Sequence, residues 1–134
     1  MSGLVLKLNP RERLLVNGAV IENGDRRSSF SILTPNANIL RLRDAIHPEE
    51  VNTPVRRVCY IAQLVLSGDA TQIDAKRQLL RGIEQLSQAL RDGDSRVHLD
   101  AATAAVIDDD FYRALKSLRH LLPREARLLA AASP

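Results

Sequence analysis

The chain has 134 residues, of which 45% are hydrophobic and only 3% aromatic, and its formal net charge is +3. This length suits one small domain with an aliphatic core, and the shortage of aromatic rings leaves little material for stacking on single-stranded bases. A single cysteine excludes an internal disulfide and favours a cytoplasmic setting, and neither a signal peptide nor an apolar run of membrane-spanning length is expected.

The first 46 residues have the pattern of a small antiparallel β meander. Alternating apolar residues predict short strands, which we place at residues 4–8, 14–16, 19–21, 28–33 and 38–42. Asn17-Gly18 and Asn23-Gly24 favour the positive φ angles of tight hairpin turns. We therefore predict four or five strands, each paired with the next along the chain.

Helical spacing of apolar residues begins after residue 46. Thr53 followed by Pro54 is a natural start for a helix that runs to about Leu66. Further helices are predicted at about 71–90, 99–107 and 111–122, with a short helical tail after Pro123. Strands followed by three to four helices indicate the α+β class. We expect a β module at 1–46 and a helical region at 47–134, together forming one compact unit.

No group of residues in the sequence points to catalysis. The three histidines, His47, His98 and His120, are scattered, and Cys59 falls on the apolar face of a predicted helix. The run 108–110 of three aspartates lacks the spacing of a calcium loop and suits a helix start. We therefore expect no enzyme, no cofactor and no metal site.

The arginines are the candidate functional residues. Residues 1–60 contain nine Lys/Arg against six Asp/Glu, whereas the rest contains ten of each, so all the excess positive charge lies in the first part. Arginine binds phosphate bidentately, although genomic composition can also enrich it. Four arginine pairs form the candidate RNA-binding set: Arg11 and Arg13, Arg26 and Arg27, Arg41 and Arg43, Arg56 and Arg57.

Two of these pairs have a predicted local geometry. Arg41 and Arg43 are two residues apart on a predicted strand and should share its outer face. Arg56 and Arg57 fall in the first turn of a helix, where the helix dipole disfavours cations. Either nearby carboxylates (Glu49 and Glu50) or an external phosphate or acidic partner should offset them.

Five segments, in chain order, carry a family pattern: LKLNPRER at 6–13, NGAVIENGDRR at 17–27, ANILRLRD at 37–44, NTPVRR at 52–57 and, more loosely, DFYRALK at 110–116. Together they resemble the FlbT family of flagellar biosynthesis repressors from alphaproteobacteria. The chain departs from the family at Arg11, where members often carry glycine. A turn with a positive φ angle should therefore be either lost or strained here.

This resemblance implies a cytoplasmic post-transcriptional regulator. Members of the family bind the 5′ untranslated leader of flagellin mRNA and lower its translation or stability, and in some members the sign of the effect is reversed. The small protein FlaF acts in the same pathway and is an expected partner. The strand rhythm of the first 46 residues is also faintly similar to the carbon storage regulator family of small RNA-binding β proteins.

Two functional hypotheses follow. In the first, the arginine-rich surface binds flagellin leader RNA. In the second, the protein is an adaptor or chaperone-like module whose helical half binds FlaF or flagellin. The stripe of Leu79, Ile83, Leu86 and Leu90 would then be either a docking groove or part of the protein's own core. In both cases open strand edges favour a homodimer in which edges pair.

Overall fold

Two small antiparallel sheets make up the N-terminal part of the computed structural model, which describes residues 4–132. The strands are β1 (Leu4–Leu8), β2 (Arg13–Val16), β3 (Ala19–Glu22), β4 (Ser28–Ile32) and β5 (Ile39–Arg41). One sheet pairs β1 with β4, and the other has the order β3-β2-β5. Five helices follow, which confirms the α+β class.

The strand pairing differs from a simple meander, because only β2 and β3 pair as consecutive strands. Asn17-Gly18 forms the predicted tight turn between them, with φ angles of 48° and 86°. Asn23-Gly24 does not form a second hairpin. Instead the side-chain amide of Asn23 donates to the backbone carbonyl oxygens of Asn9 (2.7 Å) and Arg26 (2.9 Å). The chain then returns along β1 as β4.

The helices are α1 (Pro54–Leu66), α2 (Gln72–Ala89), α3 (Gly93–Ile107), α4 (Phe111–Arg119) and α5 (Leu122–Ala132). α3 begins six residues earlier than predicted, because the Asp92 carboxylate accepts from the Ser95 N–H (3.0 Å) and caps it. Pro123 lies in the first turn of α5, where proline is tolerated, and the predicted short tail is an 11-residue helix.

The core has two hydrophobic clusters that meet at Tyr112. The larger cluster is formed by the helices together with Leu40, and the smaller one by Leu6, Leu8, Leu14 and Ile39 of the strands. Tyr112 of α4 packs against both, so α4 joins the β module to the helices. No helix within residues 4–132 is long and apolar enough to cross a membrane.

Two other expectations are confirmed by local contacts. Cys59 is fully buried in the larger cluster, and burial raises the pKa of its thiol to about 12, so the thiol is unsuited to act as a nucleophile. The Asp110 carboxylate accepts from the Arg113 N–H (3.1 Å) and caps α4, as the helix-start interpretation predicts. Asp109 pairs with Lys76 at 3.1 Å.

β3 lies at the edge of its sheet, and all four of its residues are exposed. Val20 and Ile21 are therefore apolar side chains on an open edge. The homodimer through paired edges stays a prediction.

Arg11 has a φ angle of 62°, so the turn is kept rather than lost, in a left-handed conformation that is unfavourable for a residue other than glycine. We expect Arg11→Gly to be more stable than Arg11→Ala by about 1 kcal/mol, because only alanine keeps the strained Cβ atom. Urea unfolding of both variants measures the difference. Both variants lose the exposed ion pair with Asp25, so that loss cancels in the comparison. Equal midpoints would mean that the turn carries no strain.

Candidate nucleic-acid interface

The eight candidate arginines divide into two groups by their contacts. Half of them pair with carboxylates of the chain itself. Among these, Arg11 lies 2.6 Å from Asp25 and Arg13 lies 2.8 Å from Glu22, both on the exposed surface. Exposed pairs of this kind contribute little to stability, and they lower the charge available to an external anion.

Arg41 is held in an ion pair that is largely removed from solvent. Its Nη1 atom lies 2.8 Å from Glu12 Oε2, and the two side chains are 11% and 6% exposed. The same nitrogen donates to the Lys7 carbonyl oxygen at 3.0 Å. Arg41 therefore braces the β module, and little of its guanidinium group is left to meet a ligand.

The pKa of Glu12 reflects this environment. Desolvation acts to raise it, but the hydrogen bond from the Asn9 N–H and the charges of Arg41 and Arg43 outweigh that effect, so the pKa of Glu12 lies below its ordinary value. Glu12 is therefore ionised at neutral pH and compensates two of the candidate arginines.

The prediction that Arg41 and Arg43 share one face of a strand is wrong. β5 ends at Arg41, and Leu42–Asp44 forms a 3₁₀ turn. The turn directs Arg43 to the surface, with its Nε atom 3.6 Å from Glu12 and 3.8 Å from Asp44. A strand that continued through residue 42 would place Leu42 beside Leu40 on the buried face, but Leu42 is exposed.

This turn forms one wall of a cationic cleft that the sequence did not reveal. α4 forms the other wall, and the cleft has a volume of about 450 Å³. Its charged lining residues are four cations and one carboxylate: Arg41, Arg43, Lys116, Arg119 and Asp44. Arg119 pairs with Asp44 at 2.9 Å, whereas exposed Lys116 has no ion pair within residues 4–132. The sequence spacing of Lys116 and Arg119 shows a polar helix face but not what lies opposite it.

Two of the three histidines also come together, although the sequence separates them by 22 positions. The rings of His98 and His120 stack with their centroids 4.5 Å apart. This contact joins α3 to the end of α4 beside the cleft. In the part of the chain that the structure describes, no three His, Cys, Asp or Glu side chains are grouped as metal ligands would be.

The remaining four arginines do not pair with a carboxylate. Arg26 and Arg27 lie on the exposed segment between β3 and β4, and neither side chain has a partner in the described range 4–132. Arg56 donates only to neutral oxygens, those of the Asn52 side chain (3.2 Å) and the Glu50 backbone (3.3 Å). Arg57 is exposed, and its side chain has no partner among these residues.

The expected offset of Arg56 and Arg57 by Glu49 and Glu50 is not observed. A different carboxylate lies at this helix start: Glu125 of α5 is buried, and its Oε2 atom accepts from the Val55 N–H at 2.8 Å. Because Glu125 is 70 residues away from Val55 along the chain, only the tertiary structure reveals it. It compensates the helix dipole, and neither arginine side chain pairs with a carboxylate within residues 4–132.

The four-residue apolar stripe on α2 is part of the core. Leu79, Ile83, Leu86 and Leu90 are all buried in the larger cluster. The stripe as a whole is therefore not a docking groove, and burial within the fold, the other use considered for it, is confirmed.

Comparison with known proteins finds similarity along nearly the whole chain. The family model described as "Flagellar protein FlbT" matches residues 4–129. A relative from Rhodopseudomonas palustris, named "Probable flagellum biosynthesis repressor protein FlbT", is 34% identical over 95% of this chain and 98% of its own length. A similarly named protein from Bradyrhizobium diazoefficiens is 35% identical over 93% of this chain and 84% of its own length. No solved structure matches with statistical significance.

Proposed function

The chain belongs to the FlbT family of flagellar proteins, and on this premise we propose that it represses flagellum biosynthesis by binding the 5′ untranslated leader of flagellin mRNA. Binding would block ribosome access to the message or shorten its lifetime. The relatives are named as repressors of flagellum biosynthesis, which supports the regulatory role. The leader as target is our proposal.

The observation that carries the proposal is the open pair Arg26 and Arg27. The neighbouring Arg11 and Arg13 are compensated by Asp25 and Glu22, so this segment concentrates its free charge in two adjacent guanidinium groups. Free guanidinium groups match phosphate oxygens in geometry and charge. Lys116 in the cleft is a further open cation that we assign to backbone contacts.

This assignment favours phosphate contacts over base stacking. The described chain offers few aromatic rings, and Tyr112, which borders the cleft, is held between the two core clusters. Phosphate contacts give affinity that falls steeply with salt, and base-edge contacts by arginine then supply sequence preference. Leader binding should accordingly weaken as salt is raised.

We expect Arg26→Ala/Arg27→Ala to weaken leader binding by about tenfold or more, because two phosphate contacts are lost. For single-stranded RNA, the plot of log affinity against log salt has a negative slope, and the magnitude of this slope should decrease by about 1.4. A filter-binding titration at several salt concentrations measures both quantities.

The matched control is Arg11→Ala/Arg13→Ala, which removes the same charge from arginines that already have carboxylate partners. It should change the affinity and the salt slope less than the Arg26/Arg27 variant does. Wild-type affinity and slope in Arg26→Ala/Arg27→Ala would remove this pair from the interface.

A further inference from the structure

A groove runs between α1 and α2 on the helical side of the molecule. The two helices approach closely at Gly82, where an added Cβ atom would lie 2.8 Å from Val58 Cγ2. Around this contact the groove has a volume of about 430 Å³. Its apolar lining comes from both helices: Pro54, Val58, Ile61, Leu86 and Ala89.

The charge of the groove is entirely positive. Arg57 of α1 and Arg81 of α2 are its only charged lining residues, and both are exposed. Neither side chain has an ion pair or a hydrogen-bond partner within residues 4–132. Arg57 also lies in the first turn of α1, where the dipole makes an unpaired cation unfavourable. A ligand complementary to this groove would therefore have an apolar surface to cover the floor and carboxylates to pair with the two guanidinium groups.

We propose that this groove binds an amphipathic helix of a partner protein, with an apolar stripe on the floor and carboxylates paired with Arg57 and Arg81. The lining of α2 runs from Gln78 to Ala89, about 18 Å of helix, which matches a partner helix of about three turns. Aliphatic side chains give no platform for base stacking, so the groove suits a protein better than RNA. The inference is independent of the leader-binding proposal.

The test uses the full chain and a fluorescent 14-residue peptide with a leucine stripe flanked by glutamates, monitored by anisotropy. A second peptide carries lysine at every glutamate position. We expect the acidic peptide to bind at least tenfold more tightly than the basic one, because only carboxylates complement the two arginines. Equal affinity for both peptides would overturn the proposal.

The variant Arg57→Glu/Arg81→Glu should weaken binding of the acidic peptide at least tenfold. The control Arg77→Glu/Arg96→Glu makes the same change in net charge at exposed positions outside the groove lining, and should bind like the wild type. All four positions are exposed, so the folded state should be retained, which circular dichroism verifies. A groove variant that binds the acidic peptide as the wild type does would overturn the proposal.

Leader RNA distinguishes the two proposals. It should not displace the acidic peptide, and Arg57→Glu/Arg81→Glu should bind it no more weakly than the control does. Displacement of the peptide by RNA, or selective loss of RNA binding in the groove variant, would show a nucleic-acid surface instead. Arg26→Ala/Arg27→Ala should bind the peptide normally, so failure of either proposal leaves the other testable.

Discussion

Replacing Glu12 by alanine is expected to lower the free energy of unfolding by about 3 kcal/mol. The substitution leaves the Arg41 guanidinium, only 11% exposed, without its carboxylate partner. It also removes the acceptor of the Asn9 N–H and the charge beside Arg43. Loss of one member of a buried ion pair is strongly destabilising, because the other charge stays desolvated. Urea unfolding measures the change.

A double-variant cycle tests whether the pair itself is responsible. In Glu12→Leu/Arg41→Met neither charge remains. The double variant should therefore lose clearly less free energy of unfolding than the sum of the losses in Glu12→Leu and Arg41→Met measured separately. Additive losses, or a wild-type midpoint in Glu12→Ala, would show that the pair contributes little. Arg13→Ala, which breaks only the exposed pair with Glu22, should lower the urea midpoint far less than Glu12→Ala does.

The same carboxylate makes stability depend on pH. The pKa of Glu12 is lowered by folding, so its contribution is fully present above the ordinary value of 4.5 and is lost as the pH falls through the lower value of the folded state. Glu12→Gln should therefore be less stable than the wild type at neutral pH, and the difference should shrink in acid below 4.5. A constant difference across this range would contradict the assignment.

Replacing Glu125 by alanine is expected to lower the free energy of unfolding by about 2 kcal/mol. The Val55 N–H at the start of α1 is buried and would lose its acceptor. The same change removes a direct polar link between α5 and α1. Thermal and urea unfolding measure the loss.

Two variants serve as comparisons for Glu125→Ala. Glu125→Gln keeps an oxygen acceptor of similar length and should lose less stability. Thr53→Ala removes the other acceptor at this helix start, the side chain 3.2 Å from the Arg56 N–H, and should cost about 1 kcal/mol. If Glu125→Ala unfolded at the wild-type midpoint, the carboxylate would not be the cap that its position indicates.

Two predicted elements that depend on local chemistry agree with the structure. Thr53-Pro54 starts α1 and Asn17-Gly18 forms a tight turn, since both depend on the backbone preferences of adjacent residues. Asn23-Gly24 has the same local preference but forms no hairpin, because its side chain binds the β1 end of the chain instead. Strand pairing depends on contacts between residues far apart in the chain, so the meander prediction does not include the pairing of β4 with β1.

The candidate site shows the same division between local and long-range information. Counting charges located the excess of arginine in the first 60 residues, but not which arginines are compensated. That distinction comes from partners distant in sequence: Glu12 and Arg41 are 29 residues apart, and the α4 wall of the cleft faces a turn from the β module. The groove likewise requires α1 and α2 to meet at Gly82.

The sequence by itself determined the fold class, the starts of α1, α2 and α4, the family and the sign of the charge, because these depend on composition, spacing and local backbone preference. Only the tertiary structure decided which charges face solvent and which surfaces adjoin. A carboxylate neutralises whichever cation the folded chain brings within a few ångströms, whatever their separation in sequence.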